Sequence, residues 1–243
     1  MQLSQSTVLH EKVRLLQFVN FSLANNKATC YLWSEVDAQR GSCEIGTCLY
    51  LQLLSMSCTT THAIFYSDAC SGQNRYQFIV SCVLHVVNIH QSIKVIDHKF
   101  LESGHTQMEC DSMHLAIEFA KMKTEIFVPQ QWATVMRMAR RKDPYMIVPL
   151  KYEDICDFKD LTKKNMKFRK EDVNDKKIKW LKKRWLRYTK ENPDCILFKY
   201  KMDDDFREMK VALTFTRGRA TEVYQLIKKY TSRQSISAAK KKI

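Results

Sequence analysis

The order of apolar and polar positions near the start of the chain predicts a hairpin followed by a helix. Residues 15–23 and 28–36 are rich in aromatic and β-branched side chains, and the sequence Ala-Asn-Asn-Lys separates them. Two such runs around a turn are typical of antiparallel strands. From Ser42 onward the apolar residues recur at helical spacing, which predicts a helix that ends near Ser57.

The pattern then changes to two short apolar runs on either side of a longer one. Residues 61–67 and 93–97 predict strands, and residues 76–89 predict a buried helix between them. Such a unit places its strands parallel, with a right-handed crossover. A further helix is predicted at residues 113–123. The predicted fold class is therefore α/β, with a mixed sheet flanked by helices.

Beyond Pro129 the elements become shorter and more basic. The pattern predicts a short helix at 131–141, a strand at 145–150, a capped turn or helix start at 154–161, and strands at 196–200 and 210–215. We predict three regions. They are an α/β core at 1–128, a small basic α+β extension at 129–231, and a disordered basic tail at 232–243.

The positive charge is confined to the second half of the chain. The formal net charge is +14; residues 1–120 hold 7 Lys or Arg and 10 Asp or Glu (net −3), which leaves 33 and 16 (net +17) for the rest. A strongly basic region indicates an anionic polymer as partner, and we expect DNA in preference to RNA. A membrane partner is not expected, because no long amphipathic basic helix is present and the apolar run at 76–89 is shorter than the roughly 20 residues of a spanning helix.

Acidic residues follow one predicted strand and begin a later helix. Asp68 comes directly after the strand at 61–67, and Glu109 and Asp111 precede or begin the helix at 113–123. Carboxylates from separate elements can hold two Mg²⁺ or Mn²⁺ ions for phosphoryl transfer, and Glu44, in the first turn of its helix, is a further catalytic candidate. The alternatives are a turn or N-cap role for Asp68 and simple complementation of the helix dipole by the other acids.

Two segments have the composition of a nucleic-acid-binding surface. Gln73, Asn74 and Arg75 can present amides and a guanidinium to a phosphate at a helix N-terminus, and His105 can contact a phosphate as well. Residues 163–190 hold 13 Lys or Arg against 3 acids, with Trp180, Trp185 and Tyr188 interleaved. Within that stretch we predict nucleic-acid contacts from Lys179, Lys182, Lys183, Arg184 and Arg187. The alternative is a solvated basic face whose tryptophans pack in a small core.

The nine cysteines lie in apolar settings and include no CxxC pair. They are typical of reduced thiols in an intracellular protein, and basic clusters such as Lys240-Lys241-Lys242 favour the nucleus. A zinc set made of Cys70, Cys110, His105 and His114 is a further alternative.

Four motifs together resemble a large family of animal proteins known as a domain of unknown function, similar to the RNase H-like core of a transposon-encoded protein. They are Tyr31-x-Trp33-x-Glu35 with Arg40-Gly41-Ser42-x-Glu44-Ile45, Tyr66-Ser67-Asp68-x-Cys70-x-Gly72-Gln73-Asn74, Asp97-His98-Lys99-Phe100-Leu101, and Gly104-His105-Thr106-x-Met108-Glu109-x-Asp111. The predicted hairpin, helix, strand, helix, strand and helix follow the order of an RNase H-like domain after its first strand.

The resemblance implies a transposase- or integrase-type enzyme that cuts or joins DNA strands by Mg²⁺-assisted attack on a phosphodiester. Members of the family carry an Asp at the end of the first core strand, upstream of the region that matches this chain. We therefore expect the first core strand, and with it the first metal ligand, to be missing. The competing hypothesis is a non-catalytic nucleic-acid-binding or interaction protein domesticated from a transposable element. A third class is a scaffold for an acidic protein partner.

Overall fold

The computed structural model describes residues 1–9, 14–68, 77–101, 108–126, 130–213 and 225–235. The strands in these residues are β1 (Gln2–Leu9), β2 (Arg14–Ser22), β3 (Lys27–Ser34), β4 (His62–Ser67), β5 (Val95–Phe100), β6 (Met146–Pro149), β7 (Met166–Phe168), β8 (Trp185–Thr189), β9 (Cys195–Lys199) and β10 (Arg207–Leu213). The α-helices are α1 (Ser42–Leu54), α2 (Gln77–Ile89), α3 (Glu109–Met122), α4 (Gln131–Met138) and α5 (Phe158–Asn165). Short 3₁₀ turns lie at Tyr152–Asp154 and Trp180–Lys182.

The strands form one mixed sheet in the order β6-β3-β2-β1-β4-β5-β8-β9-β10-β7. The pairs β1–β4, β4–β5 and β3–β6 are parallel, and the other pairs are antiparallel. The predicted α/β class is confirmed, as are the hairpin β2–β3 and the parallel unit β4–α2–β5. Strands from both sides of residue 128 lie in this one sheet, because β6 pairs with β3 and β8 pairs with β5.

A strand does precede the hairpin, so the expectation that the first core strand is missing is wrong. β1 pairs with β2 along its whole length, from Gln2 opposite Phe21 to Leu9 opposite Arg14. Its first residues also pair with the end of β4, where Leu3 lies opposite Ser67. The sequence of β1 holds few large apolar residues, so its pairing with neighbours, rather than its own pattern, accounts for the strand.

The two faces of the sheet are covered by different helices. On the inner face, defined by the buried side chains of Phe18, Phe65, Tyr188 and Phe198, the helices α1, α2 and α5 pack together. On the outer face, α3 and α4 pack on one another, α3 contacts β1 and β2, and α4 contacts β6. The outer cluster contains Val19, Met113, Ile117, Trp132 and Met136.

Candidate nucleic-acid interface

The predicted catalytic acids at the end of β4 and the start of α3 lie on elements that both adjoin β1. The backbone N–H of Glu109 donates to the side chain of Gln2 on β1 at 2.7 Å, and Gln2 pairs with Tyr66, two residues before Asp68. The carboxylate of Asp111 accepts from the backbone N–H of Met108 at 2.9 Å, as a helix-capping acid does. Within the described ranges, no group of three His, Cys, Asp or Glu side chains is placed to hold a metal ion. The two-metal site therefore stays a prediction.

Glu44 is placed differently from a catalytic acid that faces a ligand. Its side chain is 0% exposed, and one carboxylate oxygen accepts from Lys229 and from the Tyr230 hydroxyl, each at 2.6 Å. Burial alone would lower the pKa of Lys229, but the hydrogen bonds to Glu44 and Tyr230 outweigh burial and raise it. The catalytic role of Glu44 stays a prediction; in this structure its carboxylate anchors the segment 225–235 to α1. The same segment includes the first residues of the predicted disordered tail, and the N–H of Gln234 donates to the carbonyl of Val36 at 2.7 Å.

Several predicted contacts lie outside the described residues. They are Gln73, Asn74, Arg75 and His105, together with the cysteine of the zinc alternative, Cys70. The other two members of that alternative have protein partners. The thiol of Cys110 donates to the carbonyl of Gln2 at 3.3 Å, and a ring nitrogen of His114 lies 3.1 Å from the amide of Gln17.

The structure corrects the prediction that Lys183 contacts nucleic acid. This side chain is 2% exposed and points into the inner face, where its amine lies 3.2 Å from the centroid of the Trp180 ring. Burial lowers the pKa of Lys183 to about 6. By contrast, Lys179 and Lys182 are exposed, and Arg184 is half-buried with its guanidinium donating to the carbonyl of Leu101 at 3.3 Å.

Arg187 belongs to a polar cluster centred on Asp97 of β5. Its guanidinium donates two hydrogen bonds to the Asp97 carboxylate, at 2.8 and 2.9 Å. The indole N–H of Trp185 donates to Asp97 at 2.7 Å, and the His62 ring lies 2.8 Å from it. Burial works to raise the pKa of Asp97, which is 0% exposed, but these hydrogen bonds outweigh it and hold the pKa below its usual range. These hydrogen bonds hold the Asp97 carboxylate and the Trp185 ring in fixed positions on the sheet.

A row of aromatic and cationic side chains crosses the outer face next to this cluster. In strand register, Tyr66 of β4 lies opposite Lys99 of β5, Lys99 opposite Trp185 of β8, and Trp185 opposite Lys199 of β9. The Lys99 amine lies 3.9 Å from the centroid of the Trp185 ring, and the Lys199 amine lies 4.9 Å from it. These distances are those of cation–π contacts.

Phe206 adds a second ring beside Trp185. The two ring centroids are 5.2 Å apart in an edge-to-face arrangement, and Arg187 and Lys199 lie 4.7 and 4.4 Å from the Phe206 centroid. We call the set Tyr66, Lys99, Trp185, Arg187, Lys199 and Phe206 the aromatic–cation platform. All six side chains are partly exposed. Ile64, on the same face, is 38% exposed.

The sequence predicted only part of the platform. It singled out Trp185 and Arg187 from the basic stretch, but it gave no role to Lys99, Lys199 or Phe206. The alternation Trp185-Leu186-Arg187-Tyr188-Thr189, with Leu186 and Tyr188 buried, was the available signal, since it is the pattern of a half-buried strand.

The fold and this surface define a mixed α/β protein with a basic, aromatic sheet face. No protein-family model matches the sequence, and no curated protein matches it either. None of the helices in the described part of the chain combines the length and the apolar character needed to cross a membrane.

Proposed function

We propose that this protein binds nucleic acid and is a non-catalytic relative of RNase H-like transposases, domesticated from a transposable element. The observation that carries the proposal is the charge of residues 121–243, which hold 33 Lys or Arg against 16 acids. Strands of this basic half extend the sheet, and cations such as Lys179 and Lys182 lie on its surface. Neutralisation of phosphates with release of counterions is the simplest use of such a surface.

The order of elements supports the RNase H-like ancestry. With β1 in front of the hairpin β2–β3, the chain continues through α1, β4, α2, β5 and α3. This is the order expected from the family that the motifs around Asp68 and His105 resemble. A nuclear location is part of the same proposal, because a DNA ligand and the basic cluster at residues 240–242 both favour it.

Two features favour binding without cleavage. The strand β1, which stands where the first core strand is expected, has the sequence Gln-Leu-Ser-Gln-Ser-Thr-Val-Leu and contains no carboxylate. Glu44, the helical acid, is already paired with Lys229. Two-metal phosphoryl transfer needs converging carboxylates, and the sequence of β1 supplies none.

A Mg²⁺- or Mn²⁺-dependent nuclease or strand-transfer enzyme is the second candidate. It is favoured by the hydrogen bond between Glu109 and Gln2, which brings the first turn of α3 beside the strand that pairs with the end of β4. Asp68, Glu109 and Asp111 are the residues that this hypothesis needs.

One experiment tests both candidates. The purified chain is titrated against double- and single-stranded DNA across a salt series, with Mg²⁺ or Mn²⁺ present and nicking followed in the same tubes. We expect binding that weakens linearly with the logarithm of the salt concentration, without cleavage. Nicking that disappears in Asp68→Ala, but persists in the control Asp143→Ala at an exposed acid before β6, would establish the enzyme. Absence of binding at low salt would contradict both candidates and indicate an acidic protein partner.

A further inference from the structure

We propose that the aromatic–cation platform is a binding surface for single-stranded nucleic acid. This inference rests on the proposed function and names both the site and the class of ligand. It goes beyond the basic stretch of the sequence, because Tyr66, Lys99, Lys199 and Phe206 come from β4, β5, β9 and the turn before β10. Only the sheet brings them beside Trp185.

The charges of the platform suit a phosphate backbone. Among the ion pairs of the described residues, Arg187 is matched by Asp97, whereas Lys99 and Lys199 have no carboxylate partner. The acid of β10 is Glu208. It lies opposite Leu197 of β9, which in turn lies opposite Arg187 of β8, so Glu208 is two strands away from Arg187. Two cations on either side of Trp185 therefore remain available to neutralise phosphates.

The rings of the platform distinguish a single strand from a duplex. In a duplex the bases are stacked on each other, so a sheet face meets only phosphates and groove edges. A single strand exposes its bases, and aromatic side chains on a sheet can stack two or three of them while cations follow the backbone. Trp185 is well suited to this role, because its N–H bond to Asp97 fixes the ring in place before a ligand arrives.

The size of the platform fits a short stretch of nucleotides. Neighbouring strands lie about 4.8 Å apart, so the row from Tyr66 to Lys199 over four strands spans roughly 14 Å. The described outer helices α3 and α4 pack over β1, β2 and β6. The partial exposure of the platform side chains leaves them accessible from the opposite half of the face.

The test measures fluorescence anisotropy of a labelled oligothymidine of about 20 nucleotides, a matching oligouridine, and a duplex of the same length. Trp185→Leu removes the ring, whereas Trp185→Phe keeps a smaller ring and loses the N–H. Lys99→Gln with Lys199→Gln removes two platform charges. The matched control, Lys159→Gln with Lys163→Gln, removes two exposed charges from α5 on the inner side of the sheet. Circular dichroism melting verifies the fold of each variant.

We expect Trp185→Leu to weaken oligothymidine binding by about tenfold, with a much smaller effect on the duplex, and Trp185→Phe to lose much less. The Lys99 and Lys199 double variant is expected to reduce the slope of log affinity against log salt by about 1.4 for the single strand, and the control pair is expected to change it less. Comparison of oligothymidine with oligouridine shows whether DNA or RNA of this composition binds more tightly.

Other outcomes separate the two proposals. If the wild type binds oligothymidine and both platform variants bind it equally well, the platform is not the site, although the protein still binds nucleic acid. If Trp185→Leu weakens the duplex as much as the single strand, the inferred ligand class is wrong. If the wild type binds none of the three probes at low salt, the proposed function itself fails.

Discussion

The outer face of the sheet is built in two different ways on either side of the β1–β4 pair. On β2 and β3 the outward residues include Leu15, Val19 and Leu32, which are buried beneath α3 and α4. On β4, β5, β8 and β9 the outward residues include aromatic rings and cations that stay partly exposed. The inner face, in contrast, carries one large apolar cluster across both halves. Because successive side chains of a strand point to opposite faces, one half of a sheet can acquire a ligand-facing surface while its core stays unchanged.

The largest expected effect comes from replacing a tryptophan by alanine, and this substitution can be made in both halves of the outer face. Trp132 of α4 is 1% exposed within the outer cluster, so Trp132→Ala is expected to lower the free energy of unfolding by about 4 kcal/mol. Trp185→Ala removes cation–π contacts and one hydrogen bond from a partly exposed ring, and we expect a loss of only about 1–2 kcal/mol. Urea unfolding followed by far-ultraviolet circular dichroism measures both. Equal losses would contradict the division of the outer face into a packed half and a partly exposed half.

Asp97 is the residue that holds the polar half together. Asp97→Ala leaves Arg187 without its anion, and we expect the free energy of unfolding to fall by about 3 kcal/mol. The double variant Asp97→Leu with Arg187→Leu is the control, since an apolar pair of similar volume often replaces a buried ion pair at little cost. If the double variant were as unstable as Asp97→Ala, the loss of stability would be due to disrupted packing around Asp97 and not to the unpaired charge of Arg187.

Because the pKa of Asp97 is lowered in the folded protein, the stability that Asp97 contributes to the polar half depends on pH. Its pKa is lower in the folded chain than its ordinary value of about 3.9 in an unfolded chain. The stability contributed by Asp97 is therefore present above that value and is lost as the pH falls through the folded pKa. Acid titration of unfolding is expected to show a shallower decline below pH about 4 in Asp97→Ala than in the wild type.

Much of the fold followed from local patterns in the sequence, because each predicted element carries its own signal. The hairpin β2–β3, the helix α2 and the strands β4 and β5 have apolar runs of the right period and turn residues at their ends. β1 and β8 were missed for opposite reasons. The strand β1 has a weak apolar pattern, whereas the alternation in β8 lies within a run of cations that favoured a binding interpretation.

The site was less predictable, because it depends on contacts between distant parts of the chain. Asp97 and Arg187 are separated by 90 positions, and only the pairing of β5 with β8 brings them together. Lys182, Lys183 and Arg184 are chemically similar neighbours in the sequence, yet Lys183 alone points into the core. A charge count cannot distinguish them, since burial is decided by the turn that precedes β8.

The smallest expected change in the free energy of unfolding comes from replacing Lys183. This residue allows the cations of the outer face to be compared with a cation of the inner face. The cations of the outer face meet solvent, whereas Lys183 lies among Trp180, Phe198 and Met209. Burial lowers its pKa from 10.5 to about 6, so the unfolded state binds more protons than the folded state between those values. Stability should therefore rise with pH in this window. Lys183→Met is expected to remove that rise and to stabilise the protein at pH 7 by about 1–2 kcal/mol.

The exposed neighbour Lys182 provides the control for this prediction. Lys182→Met removes the same charge from solvent, and we expect it to change the free energy of unfolding by no more than about 0.5 kcal/mol, with the pH dependence retained. Urea unfolding at several pH values between 6 and 10 measures both variants. A loss of stability in Lys183→Met would indicate that the amine is charged in the fold and held by the Trp180 ring. In that case the inner face, like the outer one, would use a cation–π contact to hold a positive charge.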